Sequence, residues 1–487
     1  MDGLKIAFVT SEAVPYAKTG GLADVSGVLP GIIRKSGHDC RMFMPLYGSI
    51  KRDEFNLEEL RVDIGAAVGR DEVVCRLYGP KDSTFDRPTY FIENQRYFNR
   101  EALYVDPKTG RDYTDNDERF LLFAAAVLES LKKLDWRPDI IHANDWQSAL
   151  VVTFLKTKYR DEAFFKGIKT VLTIHNLAYQ GTFPAEVYPK LNLPDIHFAP
   201  GGPLEYWGKV NFLKSGIVFA DKITTVSPTY ASEIQSSNEY GMGLEGVLKN
   251  RSADLVGILN GVDYNTWSPK KDRLIPYNYF IANLSNKKRN KMELLHKAGL
   301  PLRIDSPLLA MISRLDSQKG FDILAEIMDD IMEKDVQFIL LGTGAPEYHA
   351  LFERLERTYP DKMKTFLKFD NVLAHLIEAG ADIFIMPSRY EPCGLNQLYS
   401  LKYGTVPVVR RTGGLADTVE DFDENSKTGT GFVFDEYSPG ALKAALVRAI
   451  TLFGRRRLWY KIVKQGMAKD YSWERSGEHY IRLYRSL

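Results

Sequence analysis

Short β-rich apolar runs alternate with helix-forming segments along almost the whole chain, and no other feature narrows its fold so far. Strands buried on both faces read as continuous apolar runs, and parallel strands need a crossover helix between them. The alternation therefore specifies parallel sheets covered by helices. In the first half the predicted strands are Lys5 to Thr10, Arg41 to Pro45, Val73 to Leu77, Thr89 to Glu93, Asp139 to His142, Thr170 to His175 and Lys222 to Val226. In the second half they are Leu308 to Ser313, Gln337 to Leu341, Thr365 to Phe369, Asp382 to Met386, Val406 to Val409 and Gly431 to Phe434. A chain of 487 residues exceeds one hydrophobic core, so two α/β domains follow. Asn260-Gly261-Val262-Asp263 and the polar Ser268-Pro269-Lys270-Lys271 mark the divide, giving domains of 1–264 and 265–467. Ligands of such sheets sit beyond the carboxyl ends of the strands.

The six residues Thr-Gly-Gly-Leu-Ala-Asp occur at Thr19 to Asp24 and again at Thr412 to Asp417, each after a cation, Lys18 or Arg411. Each copy follows an apolar run and opens toward a helix. A glycine pair there lets backbone N–H groups close around an anion beside a helix N-terminus. The alternative is an ordinary sharp turn. One copy in each half favours a shared task.

With 64 Lys+Arg against 63 Asp+Glu, no global field draws the chain to nucleic acid or an anionic membrane. The scattered Cys40, Cys75 and Cys393 argue against a disulfide framework and for a reducing compartment. The first strand begins almost at Met1, so no signal or transit segment is expected and the expected location is cytoplasmic. The apolar stretch Phe120 to Leu128 is too short to span a membrane.

Arg314 and Lys319 bracket a predicted turn between a strand and the helix Phe321 to Met332. Two cations beside a helix N-terminus suit a pyrophosphate leaving group, where positioning and electrostatics carry most of the catalysis. A pair of solvated surface cations is the other reading. Glu391 precedes Pro392-Cys393-Gly394 in a second strand-to-helix turn. It could bond sugar hydroxyls or stabilise charge at an anomeric carbon, or serve as a helix N-terminal acid. Asp145-Trp146 and His175-Asn176 follow first-half strands and could line an opposite wall. Asp115-Asn116-Asp117 reads as capping of the helix Glu118 to Leu131 and Asp421-Phe422-Asp423 as a polar loop, so neither is assigned a metal. No Gly-x-Gly-x-x-Gly with a ribose-binding acid follows the first strand, which weakens a nicotinamide-cofactor reading.

Taken together these segments resemble the bacterial glycogen synthase and plant starch synthase family, glycosyltransferase family five. The match runs through Lys18 to Asp24, His142 to Trp146, Thr173 to Gly181, Asn260 to Asp263, Ser313 to Leu315, Gln318 to Gly320, Pro387 to Gln397 and Arg410 to Asp417. The resemblance implies a GT-B fold: two Rossmann-like doubly wound parallel-sheet domains, the active site in the interdomain cleft, and a C-terminal helix, about 468–487, crossing back to the first domain. It implies transfer of glucose from ADP-glucose to the non-reducing end of an α-1,4-glucan with retention, without a cofactor or a metal. The partners implied are the donor and a glycogen acceptor; oligomeric state stays unassigned.

By the same resemblance Arg314 and Lys319 bind the diphosphate, aided by Lys18 and the Gly20 and Gly21 amides, with Asp24 ordering the Lys18 loop. Glu391 lies near the transferred glucose, with His175, Asn176, Asp145 and Asn260 on its hydroxyls. Trp146 and Tyr104 belong on the substrate side, the latter near the acceptor. Cys393, Gly394, Leu395, Asn396, Thr412, Gly413 and Gly414 belong to the donor pocket, and Phe369 stands where many relatives stack a tyrosine on adenine. Asn396 replaces a frequent threonine, and Tyr399 stands where other GT-B transferases carry a second glutamate. Two alternatives are a retaining transferase using UDP-glucose, which Phe369 leaves open, and a non-catalytic glucan-binding homologue. The presence together of Lys18, Arg314, Lys319 and Glu391 argues for an enzyme.

Overall fold

The computed structural model describes residues 3–81 and 88–487, and these form two compact units. The first holds the chain up to Val226, Ala231–Ile258 and Trp473–Leu487; the second holds Ser227–Tyr230 and Leu259–Ser472. The divide expected after 264 thus falls before Leu259, and residues 468–472 also go with the second unit. Packing explains the difference. Val262 bridges to Ser472, its N–H donates to the Tyr471 carbonyl at 2.7 Å, and its side chain packs on Leu398 and Tyr399.

The first unit is built on a nine-stranded sheet. From one edge its strands are Leu255–Gly257, Lys222–Thr225, Lys169–Ile174, Ile140–Asn144, Lys5–Val9, Asp39–Pro45, Thr89–Glu93, Asp71–Pro80 and Leu57–Val68. The first seven run parallel and the last two form an antiparallel edge. Leu57–Val68 escaped the sequence reading because its residues alternate between half-exposed and exposed at first, unlike a strand buried on both faces. The order reverses beside Lys5–Val9, whose neighbours are Asp39–Pro45 and Ile140–Asn144, so the loops after Val9 and Asn144 flank a topological switch point.

The second unit has six parallel strands in the order Met363–Phe366, Gln337–Leu341, Leu308–Ile312, Ile383–Met386, Val406–Arg410, Phe432–Phe434. Numbered along the chain this is 3-2-1-4-5-6, the doubly wound arrangement of dinucleotide-binding domains. Period-two alternation divides its core between the two faces. Leu309, Met311, Phe338 and Leu340 pack on one side; Leu308, Ala310, Ile339 and Leu341 pack on the other. The third strand ends at Phe366, earlier than expected, because the Lys368 N–H turns back to the Phe366 carbonyl and Asp370 caps the next helix through the Leu373 N–H at 2.9 Å.

The closing helix, Trp473–Arg485, buries Trp473, Tyr480, Ile481 and Tyr484 on one face and belongs to the first unit. The Tyr484 hydroxyl lies 2.7 Å from His142 Nδ1, His142 Nε2 lies 2.6 Å from Thr173 Oγ1, and Thr173 Oγ1 lies 2.5 Å from Thr224 Oγ1. This buried relay ties the helix to three strands. Tyr484→Phe leaves a buried ring nitrogen without that partner, so it should cost about 1–3 kcal/mol. A lowered denaturant midpoint checks it.

Candidate active site

In the second unit the switch point lies between Leu308–Ile312 and Ile383–Met386, and the loops leaving these strands carry Arg314, Lys319 and Glu391. Lys319 Nζ lies 3.0 Å from Glu391 Oε1 and 2.7 Å from Oε2, and the Ser388 hydroxyl donates to Oε2 at 2.9 Å. The pair is largely out of water, with side-chain exposures of 17% for Lys319 and 8% for Glu391. Arg314 is more exposed, 3.6 Å from Asp316. The two loops are laced together: the Arg389 N–H donates to the Gln318 carbonyl at 2.8 Å, and Gln318 Nε2 donates to the Tyr390 carbonyl at 3.1 Å. Asn396 Nδ2 reaches the Ile312 carbonyl at 2.6 Å, fixing the helix Asn396–Tyr403 to the first strand's end.

Around this core, Gly394 turns at φ +72, Leu395 packs beside Val262, Leu398 and Tyr399, and Cys393 is buried, its thiol pushed up to about 12 by desolvation. Asn260 belongs to this unit rather than the first. Its backbone N–H donates to the Cys393 sulfur, and its buried Oδ1 meets no hydrogen-bond partner. Phe369 presents its ring to solvent, 83% exposed, just past the third strand. Tyr399, at the position of the missing second glutamate, stacks on Trp267 at 3.9 Å, and Trp267 stacks on His375 at 3.7 Å. His375 Nδ1 in turn lies 2.7 Å from Asp272.

In the first unit the switch-point loops bring together a residue that sequence reasoning missed. Glu12, 3% exposed, accepts hydrogen bonds from the Thr19 N–H, from the Thr19 hydroxyl at 2.6 Å, from the Gly20 N–H at 3.2 Å and from the Tyr104 hydroxyl at 2.8 Å. The Gly20 amide expected on a diphosphate is therefore engaged by an internal carboxylate. The signal was present in the sequence, since an acid just beyond the first strand sits where ligands of such sheets bind. Lys18 Nζ pairs with Asp24 at 2.7 Å and remains partly exposed. Gly21 opens the helix Gly21–Lys35.

Asp145 holds φ +56, a strained value for a residue with a side chain. Its carboxylate takes the His175 N–H at 2.7 Å and the Asn176 N–H, and burial pushes it up to about 7. The Asn176 side chain accepts from the Ala178 N–H at 3.1 Å. His175 Nε2 lies 3.0 Å from Asn144 Oδ1; because Asn144 Nδ2 donates to the Val9 carbonyl, that oxygen is the acceptor and Nε2 carries the proton. Trp146 is a core residue, its ring enclosed by Phe120, Phe183 and Phe212. The Asp115-Asn116-Asp117 triplet is not the expected cap. Asp115 makes no side-chain cap bond and pairs with Arg100, Asp117 pairs with Lys190, and Asn116 Nδ2 holds the Tyr104 carbonyl at 3.0 Å. Among the described residues no group of three or more His, Cys, Asp or Glu side chains could hold a metal.

The two identical hexapeptides serve different ends. An added Cβ at Gly20 or Gly21 meets nothing within 4 Å, whereas at Gly413, where φ is +42, it would sit 1.9 Å from the Glu391 carbonyl oxygen, and at Gly414 2.1 Å from the Cys393 carbonyl oxygen. Buried Thr412 leads into this second copy, which is the floor on which the Glu391 loop rests. Asp417 bonds the Thr229 N–H and hydroxyl, where Asp24 pairs with Lys18. Alanine at Gly413 or Gly414 should destabilise by about 1–3 kcal/mol or more, and at Gly20 or Gly21 by no more than about 0.5 kcal/mol. Thermal unfolding of the four variants separates these outcomes.

Burial holds His142 and His175 neutral, each down to about 3. The unfolded chain protonates them near 6.5, so stability intact above 6.5 declines as pH falls from there toward 3. The loss at pH 5 is about 2 kcal/mol for each. Asp145 works in the opposite sense. Its raised pKa makes the folded state bind a proton that the unfolded carboxyl has released, a contribution gained as pH falls from about 7 to 3.8. Asp145→Asn should therefore steepen the acid-side loss, measured as denaturant midpoints between pH 7 and pH 4.

The family model described as the starch synthase catalytic domain matches residues 5–250, and the one described as glycosyl transferases group 1 matches residues 295–465. The glycogen synthase of Thermotoga maritima is 45% identical over 487 residues, covering 99% of this chain and 98% of its own. That of an Anaeromyxobacter species is 46% identical over 485 residues, covering 99% of each. Among solved structures, the catalytic domain of starch synthase IV from Arabidopsis thaliana, bound to ADP and acarbose, superposes with a TM-score of 0.90 at 32% identity, over 100% of this chain and 99% of that one. The sucrose-phosphate synthase of Thermosynechococcus elongatus, at 17% identity and a TM-score of 0.61 over 99% and 98%, shares the fold. With the switch-point residues placed as above and these likenesses spanning nearly its full length, the chain belongs to the glycogen and starch synthase family of glycosyltransferases.

Proposed function

We propose that this protein elongates glycogen, transferring glucose from ADP-glucose to the non-reducing 4-hydroxyl of an α-1,4-glucan with retention at the anomeric carbon. The observation that carries the reading is the buried Lys319–Glu391 pair beside Arg314 at the switch point of the second unit's sheet. As the sugar–phosphate bond breaks, negative charge grows on the departing diphosphate and positive charge on the sugar. Arg314 and Lys319 answer the first; Glu391, close to the sugar, stabilises the second without attacking it. The acceptor hydroxyl attacks from the face the phosphate leaves, and the phosphate takes its proton.

Within the first unit, Lys18 and Asp24 are assigned to donor binding, Asp145, His175 and Asn176 to sugar hydroxyls, and Tyr104 to the acceptor. His175, neutral and protonated on Nε2, presents Nδ1 as an acceptor for a sugar hydroxyl. In the second unit Asn260 Oδ1, buried without a partner, suits a sugar hydroxyl. The exposed Phe369 ring is the platform for adenine. No metal is required in this reading, because the two cations supply the positive charge that phosphoryl departure needs. A cytoplasmic setting goes with it; no helix among the described residues is long and apolar enough to cross a membrane. Use of UDP-glucose is the second reading, favoured by the missing hydroxyl at Phe369.

The purified protein should extend glycogen with ADP-glucose in the presence of EDTA, and Arg314→Ala should lose at least about 100-fold in kcat. Abolition of activity by the chelator, or an unaffected Arg314→Ala enzyme, would sink the charge argument. A parallel assay with UDP-glucose decides the donor.

A further inference from the structure

Two helices of the second unit begin at the edge assigned to the donor. Asn371–Gly380 starts two residues after Phe369, and Asn396–Tyr403 starts directly after the loop 391–395. Both follow strands of one parallel sheet, so both helix N-termini lie at its carboxyl edge, and the two helices pack together. Trp267, half-buried, is wedged between them one turn in. Its ring stacks on His375 of the first helix at 3.7 Å with the planes 13° apart, and on Tyr399 of the second at 3.9 Å and 3°. These separations are shorter than the roughly 4.5–7 Å usual for aromatic pairs, and the face-to-face arrangement is one that ring quadrupoles do not favour. The surroundings hold the column closed. Asp272 Oδ2 accepts the Tyr403 hydroxyl at 2.5 Å and lies 2.7 Å from His375 Nδ1, tying the same two helices together. The Ser400 hydroxyl donates to Glu378 Oε2 at 2.7 Å as a second tie. With the helices drawn together at these points, the indole fixes the gap between them. A turn aims the indole: the Trp267 N–H donates to the Asp263 carbonyl at 2.8 Å, and the Thr266 hydroxyl to Asp263 Oδ2 at 2.9 Å.

Each helix start carries one end of the proposed donor site with it. Asp370 caps the first helix through the Leu373 N–H and so holds the segment that bears Phe369. Gln397 Nε2 donates to the Cys393 and Gly394 carbonyls at 2.9 Å and 3.0 Å, which joins the loop 391–395 to the second helix. We propose that Trp267 is a positioning residue of the donor site, a spacer that sets the distance from Phe369, at the base end of the nucleotide sugar, to the loop 391–395, at its sugar end. This deepens the proposed function and rests on it for the identity of the donor. A ligand that spans both ends binds well only while they are in register. A ligand confined to one end is indifferent to the gap.

The test compares Trp267→Leu, Trp267→Phe and Tyr399→Leu with the wild-type chain by calorimetric titration with ADP, adenosine and pyrophosphate, with melting temperatures to confirm folded protein. In both leucine variants ADP should bind at least about tenfold more weakly, while adenosine and pyrophosphate each stay within about twofold of wild type. Trp267→Phe keeps a ring in the column and should hold ADP affinity within about threefold of wild type. Equal weakening of all three ligands, unchanged ADP binding in either folded leucine variant, or a phenylalanine variant no better than leucine would overturn the proposal. If Trp267→Leu does not fold, Tyr399→Leu carries the same expectation. UDP and uridine replace ADP and adenosine if the donor assay selects UDP-glucose, and a wild type that binds neither diphosphate removes spacer and function together. Glycogen extension by a wild type whose leucine variants bind ADP normally removes the spacer and leaves the function. Absence of transfer with ADP binding that depends on Trp267 removes the function and leaves the spacer.

Discussion

A carboxylate taken out of water must be surrounded by donors, because its desolvation costs several kcal/mol even after the protein relaxes. Each unit places at least one such group just past a strand at its switch point, and the neighbouring loops are shaped by the donors it needs. Glu12 gathers Thr19, Gly20 and Tyr104, three residues from two separate segments. Glu391 gathers Lys319 and Ser388. In both units the binding edge is thus ordered from within, so a ligand meets loops already positioned.

The repeated hexapeptide shows how far such a context overrides local sequence. Both copies follow a strand and start a helix. The first leaves its glycines in open space and turns its amides toward Glu12, while the second presses its glycines onto the backbone of the Glu391 loop. Only the second copy needs glycine for steric reasons. The difference comes from what lies across from each loop, which the six residues themselves do not encode.

The strands buried on both faces were legible, since continuous apolar runs such as Gln337–Leu341 and Thr89–Glu93 have few other uses. The antiparallel edge strand Leu57–Val68 was not, because a half-exposed strand carries a weaker signal than a buried one. Chemistry-bearing residues at the second unit's switch point were visible individually, but the pairing of Lys319 with Glu391 joins positions 72 residues apart and needed the fold. Glu12 went unread because it bears no motif of its own. Trp146 was read as a substrate residue on its place after a strand, whereas its ring is part of the core beneath that edge.

The Lys319–Glu391 pair also bears on how one lysine serves two partners. An ammonium has three N–H donors, and the carboxylate takes two of them, at 3.0 Å and 2.7 Å. Under the proposed function the third is directed to a phosphate oxygen, so donor binding does not require the ion pair to break. Separation would leave Glu391 buried and uncompensated, a change that costs about 3–5 kcal/mol in comparable pairs. Bridging avoids that cost and lets one cation couple the two ends of the breaking bond: the diphosphate that gains negative charge and the carboxylate that faces the sugar. The lysine's position beside Glu391 is then already one from which it reaches the diphosphate, and the more exposed Arg314 answers charge on the same group.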